Sequence, residues 1–291
     1  MKNIKKSSFI KTNCLLLCAL FFSADYAHAQ RSKNYKSLSE AIAQPDSVQW
    51  LTLRDQNLQR FPSEILQFKN LRYLDLSINN INELPSEIGQ LNNLAYFDLS
   101  RNHVGAIPES MSRMRSLTNL YLDYNGAQDL DKDFAILSQL PQLRVLNLRG
   151  DNTIQLPPTI GKMSNLVYLE LSDNQIEVLP SQFTNLKNLQ TLYINNDSKF
   201  DLMKNLGVLS QLPKLNQLHL EGDQFRYLPA EISKLKSLEY LYLSNNELSE
   251  IPESIKQLKN LKILDLRNNN MPHIILDRIG DNLEMNIKIR F

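Results

Sequence analysis

From Val48 onward the same spacing of apolar residues returns every 23 positions, and this regularity restricts the chain to a stacked architecture. Val48, Leu71 and Leu94 open three successive copies, and Leu117, Leu143, Leu166, Leu189, Leu215, Leu238 and Leu261 continue the series. In the copy from Leu71, the residues Leu71, Leu74 and Leu76 precede Asn79, Ile81, Leu84, Pro85, Ile88 and Leu91. Leu74-Asp75-Leu76 has the period of two expected of a short strand with one buried face, whereas Leu84, Ile88 and Leu91 suit a helical or extended return segment. One copy alone cannot bury both its strand face and its return face. Copies must therefore stack, with their strands side by side in a parallel sheet.

The pattern LxxLxLxxNxLxxLPxxIxxL resembles the leucine-rich repeat family, in its 23-residue LP-containing class typified by Ras-suppressor-like, plant Ras-group and bacterial secreted proteins. It runs from Val48 to Phe291. The resemblance implies an α/β solenoid, a right-handed horseshoe of about ten repeats plus a terminal strand, whose concave parallel sheet usually binds a protein partner. It does not name that partner.

Each copy carries a polar residue in the otherwise apolar ladder: Asn79, Asn102, Asn125, Asn174, Asn246 and Asn269, with Gln56, Asp151, Asp197 and Asp223 at the equivalent places. An inward asparagine both donates and accepts, and so satisfies backbone groups where the chain leaves the strand. Aspartate only accepts unless protonated, so the aspartate copies are expected to be weaker links. Two copies, Leu117 to Gln142 and Leu189 to Lys214, are 26 residues long and lack the mid-repeat LP step. Asp133-Phe134-Ala135-Ile136-Leu137 and Asn205-Leu206-Gly207-Val208-Leu209 predict a true helical turn on the outer face there. Residues 117–188 align without gaps on 189–260, about two in five identical, which marks a duplicated three-repeat block.

Lys2, Lys5, Lys6 and Lys11 precede an apolar core from Cys14 to Phe22 and then Ala27-His28-Ala29, the pattern of a secretory signal cleaved after Ala29. The expected organisation is residues 1–29 as signal peptide, 30–47 as an N-terminal capping helix, 48–283 as repeats and 284–291 as a C-terminal capping strand. Ser37-Leu38-Ser39-Glu40 fits a capping box, and Pro45 stops the segment. Ile287 and Ile289 fall 23 residues after Leu264 and Leu266. Both cysteines, Cys14 and Cys18, lie in the signal, so the mature chain caps its ends without disulfides. These features point to an exported, periplasmic, cell-surface or extracellular bacterial protein with no membrane insertion after cleavage.

Losing residues 1–29 removes four lysines and Asp25, leaving 28 basic and 30 acidic side chains and a net charge of −2. That balance argues against nucleic acid as partner. Function is expected on the concave sheet, at positions flanking the paired leucines. Trp50, Tyr73, Tyr96, Tyr168 and Tyr240 precede the second leucine, and Tyr121, Tyr193 and Tyr242 follow it. Tyrosine offers rigid contact area with little rotamer entropy to lose. Acidic residues run alongside, Asp75, Asp98, Glu170 and Asp265 between the leucines and Asp123 and Glu221 after them, which would complement a basic and apolar partner.

Asp75 and Asp98 stand at strand spacing, near the separation of a retaining glycosidase's carboxylates. An open curved sheet implies no pocket to desolvate either and raise its pKa, so no catalysis and no cofactor are expected. His219, near Glu221, is the one histidine predicted on the concave face, too few ligands for zinc. Arg149-Gly150-Asp151 spells an adhesion tripeptide, but Asp151 takes an inward ladder position. The expectation is a non-enzymatic scaffold for a protein or peptide, with a carbohydrate-binding surface that stacks sugars on the same tyrosines as the alternative.

Overall fold

The structure, a computed structural model, describes residues 33–126, 129–272 and 287–291. The expected signal peptide, and most of the segment after Pro272, lie outside the described residues. Among the described residues twelve strands form one parallel sheet in chain order: β1 (Asn34–Tyr35), β2 (Trp50–Thr52), β3 (Tyr73–Asp75), β4 (Tyr96–Asp98), β5 (Asn119–Tyr121), β6 (Val145–Asn147), β7 (Tyr168–Glu170), β8 (Thr191–Tyr193), β9 (Gln217–His219), β10 (Tyr240–Tyr242), β11 (Ile263–Asp265) and β12 (Lys288–Arg290). This is a leucine-rich-repeat solenoid. The middle residue of each strand from β2 to β11 is fully buried, and its two neighbours face the opposite side of the sheet.

The return segments are single turns of 3-10 helix, such as Ser63–Gln67 and Pro158–Lys162. The proline of the LP step starts them. Pro62, Pro108, Pro180 and Pro252 sit at φ between −65 and −70°, their ring-fixed value, and their carbonyls accept the amide three residues on. In the two 26-residue copies the extra length forms α-helices instead, as expected. α1 (Leu38–Ile42) stands at the front, and the long copies contribute α2 (Leu130–Leu137) and α3 (Leu202–Leu209), each N-capped by an aspartate, Asp129 or Asp201.

The asparagine ladder is built as predicted. Asn79 Oδ1 accepts the amides of Gln56 and Leu58, and its Nδ2 donates to the carbonyls of Leu53 and Leu76. Gln56 departs from the expectation: it is exposed and its Nε2 reaches the Lys36 carbonyl, because it belongs to the first copy and has no preceding repeat to pin.

Both ends also differ in detail. Ser37 caps α1 by accepting the Glu40 amide at 3.3 Å, but the edge of β2 is covered by an extra strand, β1, rather than by the helix alone. At the far end Ile289, not Ile287, lies beside Leu264. The last step is thus two residues longer than the repeat, and a shift of two preserves which face each isoleucine presents.

Candidate binding surface

Residues before and after each buried strand centre form two parallel columns across the concave face. In the first, Trp50, Tyr73 and Tyr96 are direct neighbours on β2, β3 and β4. Their rings stack with centroids 4.3 Å apart in both pairs, at 7° and 13° between planes. In the second column Tyr193, His219 and Tyr242 on β8, β9 and β10 stack at 3.7 and 4.1 Å. The two stacks are joined diagonally: Tyr96 meets Tyr121 at 5.0 Å, Tyr121, Val145, Tyr168 and Tyr193 form one apolar cluster, and Tyr168 meets Tyr193 at 5.3 Å. The result is a spine spanning β2 to β10, which changes column where the next strand has no aromatic residue in the column it occupies and is bridged by Val145 at β6. Tyr240 stands beside it with the Lys262 ammonium 6.0 Å from its ring.

Exposure along this spine is uneven. Trp50, Tyr73, Tyr96, Tyr240 and Tyr242 are half-buried and reach solvent. Tyr121, Tyr168, Tyr193 and His219, expected to face outward into solvent, are buried, Tyr168 to 3% exposure, because neighbouring rings cover one another. Pairs of this geometry contribute about 0.5 to 1.5 kcal/mol each beyond area burial, so the spine braces the sheet.

The acidic row is also more internal than its sequence positions suggested. Asp75, Asp98, Glu170 and Asp265 are all buried. Each accepts the backbone amide two residues ahead: Ser77, Ser100, Ser172 and Arg267. Asn147 does the same for Arg149. The row thus satisfies amides released where the chain leaves each strand. The signal was present in the sequence as Asp75-Leu76-Ser77, Asp98-Leu99-Ser100 and Glu170-Leu171-Ser172. Asp123 is half-buried and accepts from Ser100 and Asn147.

One carboxyl of the row, at a position outside the Asp75 and Asp98 pair, is desolvated. Burial pushes the Glu170 carboxyl up to about 6 against the hydrogen bonds from Ser172. Glu221 and Asp265 go the other way. Burial raises each, but His219 and Ser244 outweigh it at Glu221, and the Arg267 guanidinium outweighs it at Asp265. Burial depresses His219, whose Nδ1 lies 3.5 Å from Glu221. Among the described residues no cluster of three or more His, Cys, Asp or Glu side chains could hold a metal ion.

A group missed by sequence reasoning lies beside the second column. The Arg149 guanidinium pairs with Asp173 at 2.6 Å, Tyr124 donates to the same carboxylate at 2.5 Å, and Arg101 lies 4.7 Å from the Tyr124 ring. Arg149 is therefore locked and Asp151 is buried, so the adhesion tripeptide is not displayed.

Residues 122–217 match the leucine-rich repeat region family, and residues 46–104, 69–126 and 213–271 match the leucine rich repeat family, so the matches together run through nearly every copy. The chain belongs to the leucine-rich repeat proteins. Among solved structures, this leucine-rich repeat chain is similar to TLR13 in its complex with ssRNA13, with a TM-score of 0.68 and 28% identity over 82% of this chain and 36% of that one. It is similar in fold to the internalin InlF of Listeria monocytogenes, with a TM-score of 0.53 and 20% identity over 86% of this chain and 82% of that one. The leucine-rich repeat chain thus spans about a third of the TLR13 structure. No curated protein sequence matches it. Among the described residues no helix is long and apolar enough to cross a membrane.

Proposed function

We propose that this chain is an exported, non-enzymatic scaffold that binds a protein or peptide along its concave face, with Trp50, Tyr73 and Tyr96 as the principal anchors and Tyr240 and Tyr242 as a second contact. The observation that carries this reading is the stack of three half-exposed rings, 4.3 Å apart on consecutive strands. Rings already fixed by their neighbours lose little freedom on binding, so most of their contact energy goes into affinity. The buried members, Tyr121, Tyr168, Tyr193, His219, Asp75, Asp98, Glu170 and Asp265, hold that surface in shape, while Asp123 and Glu221 supply the charge that a partner meets. Export rests on the basic and apolar character of residues 1–22 and on Ala27-His28-Ala29.

The test has two parts. Mass spectrometry of the protein recovered from its native host should find Gln30 as the first residue, and an intact Met1 would remove the export reading. Cross-linking from the concave face should capture a protein whose affinity falls in Trp50→Ala and Tyr96→Ala. Because TLR13 was solved with single-stranded RNA, RNA oligonucleotides and a glycan array run in parallel. Tight, salt-dependent RNA binding or saturable glycan binding, with no protein captured, would replace the protein-partner reading.

A further inference from the structure

Four buried aspartates leave one carboxyl oxygen with no hydrogen-bond partner: Asp133 Oδ2, Asp151 Oδ2, Asp197 Oδ1 and Asp223 Oδ2. None is more than 3% exposed. In each case a backbone amide holds the other oxygen. Ile107 donates to Asp133 at 3.2 Å, Asn125 to Asp151 at 2.9 Å, Ile176 to Asp197 at 2.7 Å and Asp197 to Asp223 at 2.7 Å. A buried carboxylate with an orphaned oxygen is costly, since half of its charge has nothing to bind.

The internal duplication shows what two of these oxygens replace, while Asp151 and Asp223 are each other's counterparts at the ladder place that Asn174 and Asn246 fill in the following copies. A displacement of 72 residues relates Asn125 to Asp197 and Asp133 to Asn205, so each site exists once as amide and once as acid. Asn125 Oδ1 accepts the Val104 amide, and its Nδ2 donates to the carbonyls of Leu99 and Leu122 at 3.1 and 2.7 Å. Asn205 Oδ1 accepts the Leu179 amide, and its Nδ2 donates to the carbonyls of Glu177 and Asp201 at 2.9 and 2.8 Å. The aspartates accept from the twin-related amides, Ile176 and Ile107. Their second oxygen therefore occupies the place of a donor. Only a protonated carboxyl can donate there.

We propose that Asp133, Asp151, Asp197 and Asp223 are neutral carboxylic acids in the folded chain, each donating its O–H in place of an asparagine amide, so that the middle of the solenoid is latched by protons and loosens as pH rises.

The surroundings favour the neutral form. Asp151 lies near the Asp123 carboxylate, with only the amides of Asn125 and Gly126 to oppose burial. Asp223 is near Asp197 of the preceding copy and Glu221 of its own, so ionising it adds like charge to a buried neighbourhood. Single lysines, Lys132 and Lys199, act near Asp133 and Asp197, and Asp129 opposes the first of them. Burial raises all four groups: Asp133 to about 6, Asp151 to about 7, Asp223 to about 9, and Asp197 in the same direction. Because the folded values lie above the unfolded one, this stabilisation is complete below the unfolded carboxyl value and is lost as pH climbs through each folded value. Asp173, Glu221 and Asp265, which are depressed, act oppositely and at the acid end.

The experiment is thermal melting of the mature chain at about pH 3, below the unfolded carboxyl value, and at about pH 9, comparing wild type with Asp151→Asn, Asp197→Asn and Asp223→Asn. The expected result is equal melting at the lower pH and a gain of about 2 to 4 °C per substitution at the higher, where each asparagine keeps its donor. The reciprocal change Asn125→Asp should cost nothing at the lower pH and lower the melting temperature at the higher one. Asparagine variants that melt below wild type at the higher pH, or by an offset that does not change with pH, overturn the proposal. Infrared difference spectroscopy provides a readout independent of stability. Wild type at neutral pH should show a protonated-carboxyl stretch that Asp223→Asn diminishes, and an unchanged spectrum rejects the assignment.

Discussion

Tyr193 lies face to face on His219, with ring centroids 3.7 Å apart and planes 14° from parallel. The imidazole therefore belongs to the aromatic spine as a flat, neutral ring, and burial keeps it so by holding its proton affinity below the ordinary histidine value. A depressed base contributes stability above its unfolded value near 6.5 and loses it as pH falls through the folded value. NMR titration of His219 should give a midpoint below that of a free histidine. His219→Phe should retain the stack and make the chain less sensitive to acidification just below pH 6.5. A midpoint at or above the free value would mean that Glu221, 3.5 Å away, outweighs burial.

Ile78 takes a left-handed backbone conformation, φ 57°, at the turn where Asp173, Asn196, Asn245 and Asn268 stand in other copies. A β-branched residue is strained there, by about 1 to 2 kcal/mol. Ile78→Asn should raise stability by about 1 kcal/mol in urea unfolding, since asparagine tolerates this region. A loss of stability would show that the half-buried isoleucine side chain contributes more than its backbone costs.

Gly150 meets the same demand with φ 72°, and a Cβ built on it would fall 2.2 Å from the Tyr124 ring. That ring is fixed by Asp173, so it cannot swing aside cheaply. Gly150→Ala should cost about 2 kcal/mol or more by calorimetry, while Gly105→Ala, where nothing lies within 4 Å, should stay close to neutral.

Asn174 ties two copies together: it accepts the amides of Asp151 and Thr153 and donates to the carbonyls of Leu148 and Leu171. Asn174→Ala leaves those four buried or half-buried groups unpaired, and should lower unfolding free energy by about 1 to 3 kcal/mol. Asn174→Asp provides a graded comparison, closer to wild type at low pH than at high.

The strands, the ladder and the two outer helices were legible because each follows from spacing within one copy. What a copy does to its neighbour was less so. Tyr121 and Tyr168 occupy outward strand positions, and only the closeness of the adjoining rings buries them. The spine's change of column between Tyr96 and Tyr121 arises because Asn119 fills the next place in the first column. Asp75 and Glu170 read as surface charge, since their burial depends on what the neighbouring strands place beside them. The register of β12 was off by two because alternation alone cannot distinguish Ile287 from Ile289.

The central claim is that the half-exposed rings at the start of the spine recognise a partner and the buried ones support them. Calorimetric titration of the captured partner against wild type, Trp50→Ala, Tyr73→Ala and the convex-face control Lys259→Ala, with folding checked by melting, tests it most directly. The account predicts affinity losses of about 30-fold or more for the first two and none for the control, corresponding to about 2 kcal/mol per anchor. Equal affinity for all four folded proteins would contradict it.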